Sequence, residues 1–112
     1  TSGTLLFTGA SASLRGKANF GAFNSAKGAL RNLAHAIAKE YAENSIHVGH
    51  VIVDGGLAGD RIKNRVPDFN KRVQEGKLID IESVTDAYMF LYNQNKRAWT
   101  FELDVRTFRE NW

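Results

Sequence analysis

Residues 46–56 read I-H-V-G-H-V-I-V-D-G-G. From Ile46 to Val53 the stretch is β-branched and nearly continuous in apolar content, which predicts a central strand of a parallel sheet, covered on both faces. Asp54-Gly55-Gly56 breaks it. The segment before it, Phe20 to Glu43, predicts a long helix. Phe23, Ala26, Leu30, Leu33, Ile37 and Tyr41 are spaced by 3, 4, 3, 4 and 4 residues and trace one stripe. Small residues elsewhere on it (Ala22, Ala29, Ala34, Ala36, Ala38) leave room for a second helix to approach, so one face is expected on the sheet and another on a neighbouring helix. Asn44 and Ser45 end it.

Working outward, Thr4 to Thr8 (T-L-L-F-T) is a short apolar run of strand length. Gly9 to Asn19 is rich in Gly, Ala and Ser and reads as a loop. After Gly56 the next twenty residues hold the single proline, Pro67, and one or two short helical pieces. Asp80 is a candidate N-cap for a second helix striped by Val84, Ala87, Tyr88 and Leu91. Asn93 to Arg97 turn the chain. Trp99, Phe101, Leu103 and Val105 then alternate with polar residues up to Arg106, which predicts a last strand. Strands alternating with helices argue for a parallel α/β sheet. Three strands and two principal helices bury little surface, and the first strand leaves an unpaired edge. Together with Thr1 as the first residue, this predicts a piece of a larger domain.

The 112 residues are 43% hydrophobic and 24% charged, ordinary for a globular chain and outside the range of disordered or low-complexity sequences. There is no cysteine, which excludes thiolate metal sites and thiol chemistry. No apolar run approaches the ~20 residues of a membrane span. The net charge is +3, but basic and acidic residues are interspersed, so nucleic acid is not an expected partner. One stretch is lopsided: Arg61, Lys63, Arg65, Lys71, Arg72 and Lys77 against Asp68 and Glu75. It reads as a solvated face or as a rim over a pocket for an anionic ligand.

Several motifs fail. Thr8-Gly9-Ala10-Ser11 begins like a dinucleotide-binding turn, yet Ser11 and Leu14 stand where G-x-G-x-x-G needs its second and third glycines. Gly16-Lys17 resembles the end of a phosphate-binding loop, but Ser11 replaces its first glycine and Ala18 its Mg²⁺-binding hydroxyl. His47 and His50 are three apart on a strand and point to opposite faces, and His35 is on a helix, so no metal site is expected. There is no G-x-S-x-G elbow.

One constellation remains: G-T-L-L-F-T-G-A-S-A-S at 3–13, F-N-S-A-K-G-A-L-R-N-L-A at 23–34, and I-H-V-G-H-V-I-V-D-G-G at 46–56. In order and spacing this resembles the C-terminal half of the short-chain dehydrogenases/reductases. W-T-F-E-L-D-V-R at 99–106 is similar to one atypical subgroup, mostly of bacterial members. The resemblance implies the last three strands of a Rossmann-like, doubly wound parallel sheet over residues 1–112. The phosphate-binding turn, the ribose-selecting residue and the family's catalytic Asn would lie in the absent half. The parent would bind NAD or NADP and pass hydride to or from a small carbonyl or alcohol substrate; this chain alone would hold no cofactor. A cytoplasmic location and a homodimer or homotetramer, with the helix at 20–43 in the interface, are implied too. The alternative is a non-catalytic dinucleotide-binding or interaction protein on the same fold.

In that family a Ser polarises the substrate carbonyl, a Tyr exchanges the proton, and a Lys one helical turn later binds the nicotinamide ribose and lowers the Tyr pKa. Residues i and i+4 share a helix face, so phenol and ammonium enter one cleft. Carried over, the Lys is Lys27 and the Ser is Ser11, although a gapless alignment with common members puts Ala10 there. The Tyr position is Phe23, which has no proton to give. Losing such a group costs about 10² to 10⁴ in rate. Tyr41, fourteen residues beyond Lys27, stands roughly 21 Å further along the helix and cannot replace it. The family's Pro-Gly beside the nicotinamide becomes Asp54-Gly55. Asp54 would set a negative charge near the cofactor if unpaired, while Gly55 and Gly56 keep a backbone free of side chains.

Overall fold

A computed structural model describes residues 2–112. Three parallel strands, β1 (Gly3–Ala10), β2 (Ile46–Val53) and β3 (Glu102–Val105), form a sheet in the order β1-β2-β3. Gly3 pairs with Ile46 and Ala10 with Val53; His50 pairs with Glu102 and Val53 with Val105. The expected central strand therefore has its expected limits, and every residue from His47 to Val53 is buried.

Helix α1 (Gly21–Tyr41) joins β1 to β2. It runs into a 3-10 turn at Ala42–Asn44 and stops at Ser45, whose φ of 62° is left-handed. Two short helices follow β2, α2 (Asp60–Lys63) and α3 (Phe69–Gln74), in the basic stretch. Helix α4 (Ile81–Tyr92) leads to β3 and is capped as expected, Asp80 accepting from the Ser83 N–H at 2.9 Å. Among the described residues no helix is long and apolar enough to cross a membrane.

Side chains alternate across a strand, and the two faces of β2 are used differently. Val51 and Val53 join Ile79, Val84 and Leu91 in the apolar core, so α4 covers that face. His50, on the other face, donates through Nδ1 to Glu102 at 2.9 Å, and Arg31 of α1 grips the same carboxylate with Nε at 2.8 Å and Nη2 at 2.9 Å. Helix α1 thus meets the sheet through a small residue, the fully buried Ala34, and through polar ones.

Three expectations need correction. The α1 stripe is not buried along its length: Leu30 and Ile37 are half-buried, whereas Phe23, Leu33 and Tyr41 are exposed. Gly9 and Ala10, read as loop, extend β1, and Ser11–Ser13 form a 3-10 turn. The last strand begins at Glu102 rather than Trp99. Gln94 accepts the Thr100 N–H through Oε1 at 2.8 Å and donates through Nε2 to Thr100 Oγ1, while Trp99 stacks on His47 at 4.8 Å. Side chains take the backbone bonds that the strand would have used.

Candidate functional site

In a parallel sheet the loops after the strands gather at one end, which is where open α/β sheets bind ligands. Here Ser11 follows β1, Asp54 follows β2 and Arg106 follows β3. Ser11 and Asp54 line a cleft of about 390 Å³ together with Arg15, Phe23, Asn24, Gly55 and Glu110 among others, and Arg106 is bonded to Asp54.

Of the residues singled out in the sequence, the structure brings Ser11, Phe23, Asp54 and Gly55 to this cleft. Lys27 stands just behind it. Its ammonium is 5.9 Å from the Phe23 ring centroid and donates to the Thr8 carbonyl at 3.4 Å. The one-turn spacing puts Phe23 and Lys27 on one helix face, but only Phe23 lines the cleft. Gly56 turns away and abuts Leu78. Gly55 has φ of +142°, a conformation that L side chains rarely adopt, so its bare backbone faces the cleft.

Asp54 is not an unpaired charge. It is buried, with Arg106 Nε 3.2 Å from Oδ2 and Arg15 Nη2 3.4 Å from Oδ1. Burial opposes its ionisation, but the Arg106 hydrogen bond, the Ser11 hydroxyl and the Arg15 charge outweigh that and hold it below the usual carboxylate value. Arg106 also pairs with Asp104.

Sequence reasoning missed four residues here. Asn24 staples the loop before α1: its amide donates to Ala12 O at 3.1 Å and Arg15 O at 2.9 Å, and its Oδ1 accepts the Lys17 N–H at 3.0 Å. A signal existed, because an amide beside the Phe23 position at a helix start is suited to binding the preceding loop. Arg15 and Arg106 are 39 and 52 positions from Asp54, and Glu110 lies past the last periodic residue, so no local pattern pointed to them. Among the described residues no group of three His, Asp or Glu side chains could hold a metal ion.

The fold is shared with known proteins. The chain is similar to a short-chain dehydrogenase from Rhodopseudomonas palustris, at 39% identity and a TM-score of 0.67, over 94% of this chain and 38% of that one. The fold is that of the short-chain dehydrogenases. An NADPH-bound short-chain oxidoreductase from Pseudomonas aeruginosa PAO1 containing an atypical catalytic center matches with a TM-score of 0.73 and 17% identity, over 91% of this chain and 44% of that one. The NADH complex of 3-ketoacyl-(acyl-carrier-protein) reductase from Brucella melitensis matches with a TM-score of 0.72 and 22% identity, over 92% and 43%. The chain therefore spans less than half the length of these short-chain dehydrogenase structures. No protein-family model matches it, and no curated protein does.

Proposed function

We propose that residues 1–112 are the C-terminal part of a Rossmann-like short-chain dehydrogenase/reductase domain. The whole protein transfers hydride between NAD(P) and a carbonyl or alcohol carbon, at a low or altered rate because Phe23 stands at the tyrosine position. The carrying observation is that Ser11 and Phe23 border one cleft at the strand ends with Lys27 one turn behind. The 39% identity to the Rhodopseudomonas palustris short-chain dehydrogenase supports the same reading.

The residues present fit a nicotinamide nucleotide. The bare Gly55 backbone would leave room for the nicotinamide ring, and Lys27 would hold the ribose hydroxyls. When bound, the nucleotide supplies or accepts hydride. Ser11 donates its hydroxyl hydrogen to the substrate oxygen and polarises the carbonyl. Phe23 shields the cleft from water but moves no proton.

A second reading, a dinucleotide-binding protein without catalysis on the same fold, draws on that missing phenol. One comparison separates the two in the full-length protein. Phe23→Tyr should raise NADPH-dependent reduction of 4-nitrobenzaldehyde with unchanged NADPH affinity, and Lys27→Ala should weaken NADPH binding. Tight NADPH binding in every variant with no reduction in any of them supports the binder.

A further inference from the structure

The C-terminal tail carries a carboxylate into the cleft. Arg106, already bonded to Asp54, lays its guanidinium 3.9 Å from the centroid of a Trp112 ring. Phe108 seats on Gly76, where a Cβ would come within 2.7 Å of Phe108 Cε1. Phe108 and Trp112 are themselves 84% and 75% exposed, and the Glu110 N–H donates to Thr107 O at 3.1 Å and closes a turn. Glu110 is thereby half-buried and lines the cleft that Ser11 and Phe23 line. Its Oε2 faces the Gly55 backbone, 3.3 Å from where a Cβ would stand.

Two carboxylates reach this cleft, and they differ. Asp54 is buried and held by two arginines. Glu110 enters no ion pair among the described residues. We propose that Glu110 is the group that exchanges a proton with the substrate oxygen, in the role that Phe23 cannot fill. The proposal rests on the oxidoreductase reading above.

In reduction, the O–H bond of the Glu110 carboxyl breaks and its proton passes to the carbonyl oxygen. A C–H bond forms at the carbonyl carbon with hydride from the reduced nicotinamide, which is oxidised. In oxidation, the Glu110 carboxylate takes the alcohol proton as hydride leaves the carbon. Reduction draws on the protonated Glu110 carboxyl and oxidation on its carboxylate, so raising the pH should slow the first and quicken the second. Arg15, Lys17 and Asp54 line the same cleft, Lys27 stands behind Phe23, and Arg106 and Arg109 flank Glu110 on the tail. Of these only Asp54 is a carboxyl that could mimic the profile, and its two arginines keep it ionised.

The test uses the full-length protein with NADPH, 4-nitrobenzaldehyde as substrate and isobutyramide as an unreducible carbonyl. Glu110→Gln is expected to lower the reduction rate about 100-fold with NADPH affinity unchanged. Glu110→Asp should retain part of the rate, and Phe23→Tyr should restore it in the Glu110→Gln background without the fall in reduction at rising pH that Glu110 causes. Independently of turnover, the ¹³C signal of the Glu110 carboxyl, assigned by its loss in Glu110→Gln, should move when isobutyramide is added. A signal that ignores isobutyramide overturns the proposal. So does a Glu110→Gln variant with the wild-type rate and pH profile, which leaves the oxidoreductase reading standing. A wild-type protein that neither binds NADPH nor reduces the aldehyde overturns that reading and the proposal with it.

Discussion

Gly9 of β1 lies beneath the imidazole of His50 on β2: a Cβ placed on Gly9 would come within 2.8 Å of His50 Cε1 and closer still to Nε2. The ring cannot retreat, because Glu102 holds Nδ1 at 2.9 Å and Arg31 holds Glu102. Gly9→Ala should therefore lower the unfolding free energy by about 1–3 kcal/mol. The readout is the urea midpoint of the full-length protein at constant slope. In the His50→Ala background the same change should cost much less, since the two residues share one space.

Acid should weaken the tie between α1 and the sheet. The Arg31 hydrogen bond, against a smaller opposing effect of burial and with help from His50, lowers the Glu102 pKa from 4.5 to about 2. A depressed carboxylate stabilises the fold fully above its unfolded pKa. That contribution, up to about 3 kcal/mol, is lost as pH falls from 4.5 towards 2. Urea midpoints taken across this window should fall, and Glu102→Gln should flatten the fall.

Asn24→Ala removes three hydrogen bonds that hold the loop over residues 12–17. The Lys17 amide, which loses its acceptor, should exchange hydrogen with solvent at least tenfold faster, while amides of the buried β2 strand stay protected. Equal protection of Lys17 in both proteins would show that the loop is held by other means.

Self-association should run through the outward face of α1. Leu33 and Tyr41 lie there at 51% and 44% exposure, large for apolar side chains on one helix. Leu33→Glu should shift the full-length protein towards monomer by light scattering without lowering its urea midpoint. An unchanged mass would move the interface elsewhere.

The fold was largely legible, and its illegible parts share a cause. The strand Ile46–Val53 declared itself because a strand covered on both faces must be apolar throughout. The Asp80 cap was equally local, a carboxylate three residues before the N–H that it accepts. The α1 stripe revealed a helix but not which side docks. Periodicity records where large residues recur, whereas Ala34 and Arg31 decide the contact by size and charge. At the site, Ser11, Phe23 and Lys27 were named by the family resemblance, and one helical turn accounts only for the face that Phe23 and Lys27 share. Glu110 and the two arginines on Asp54 could not be placed, since their meeting depends on the chain closing over long separations.

The Arg31–Glu102 pair also sets a timetable. Its partners are 71 positions apart, and translation proceeds at about 5–20 residues per second. For roughly 4–14 s after Arg31 is made, α1 has no carboxylate to receive it, and His50 has no ring partner on β3. On a nascent chain this polar tie of α1 to the sheet forms only once Glu102 is made, so slow translation ahead of Glu102 prolongs the interval in which these charged groups are open to chaperones or to misassembly.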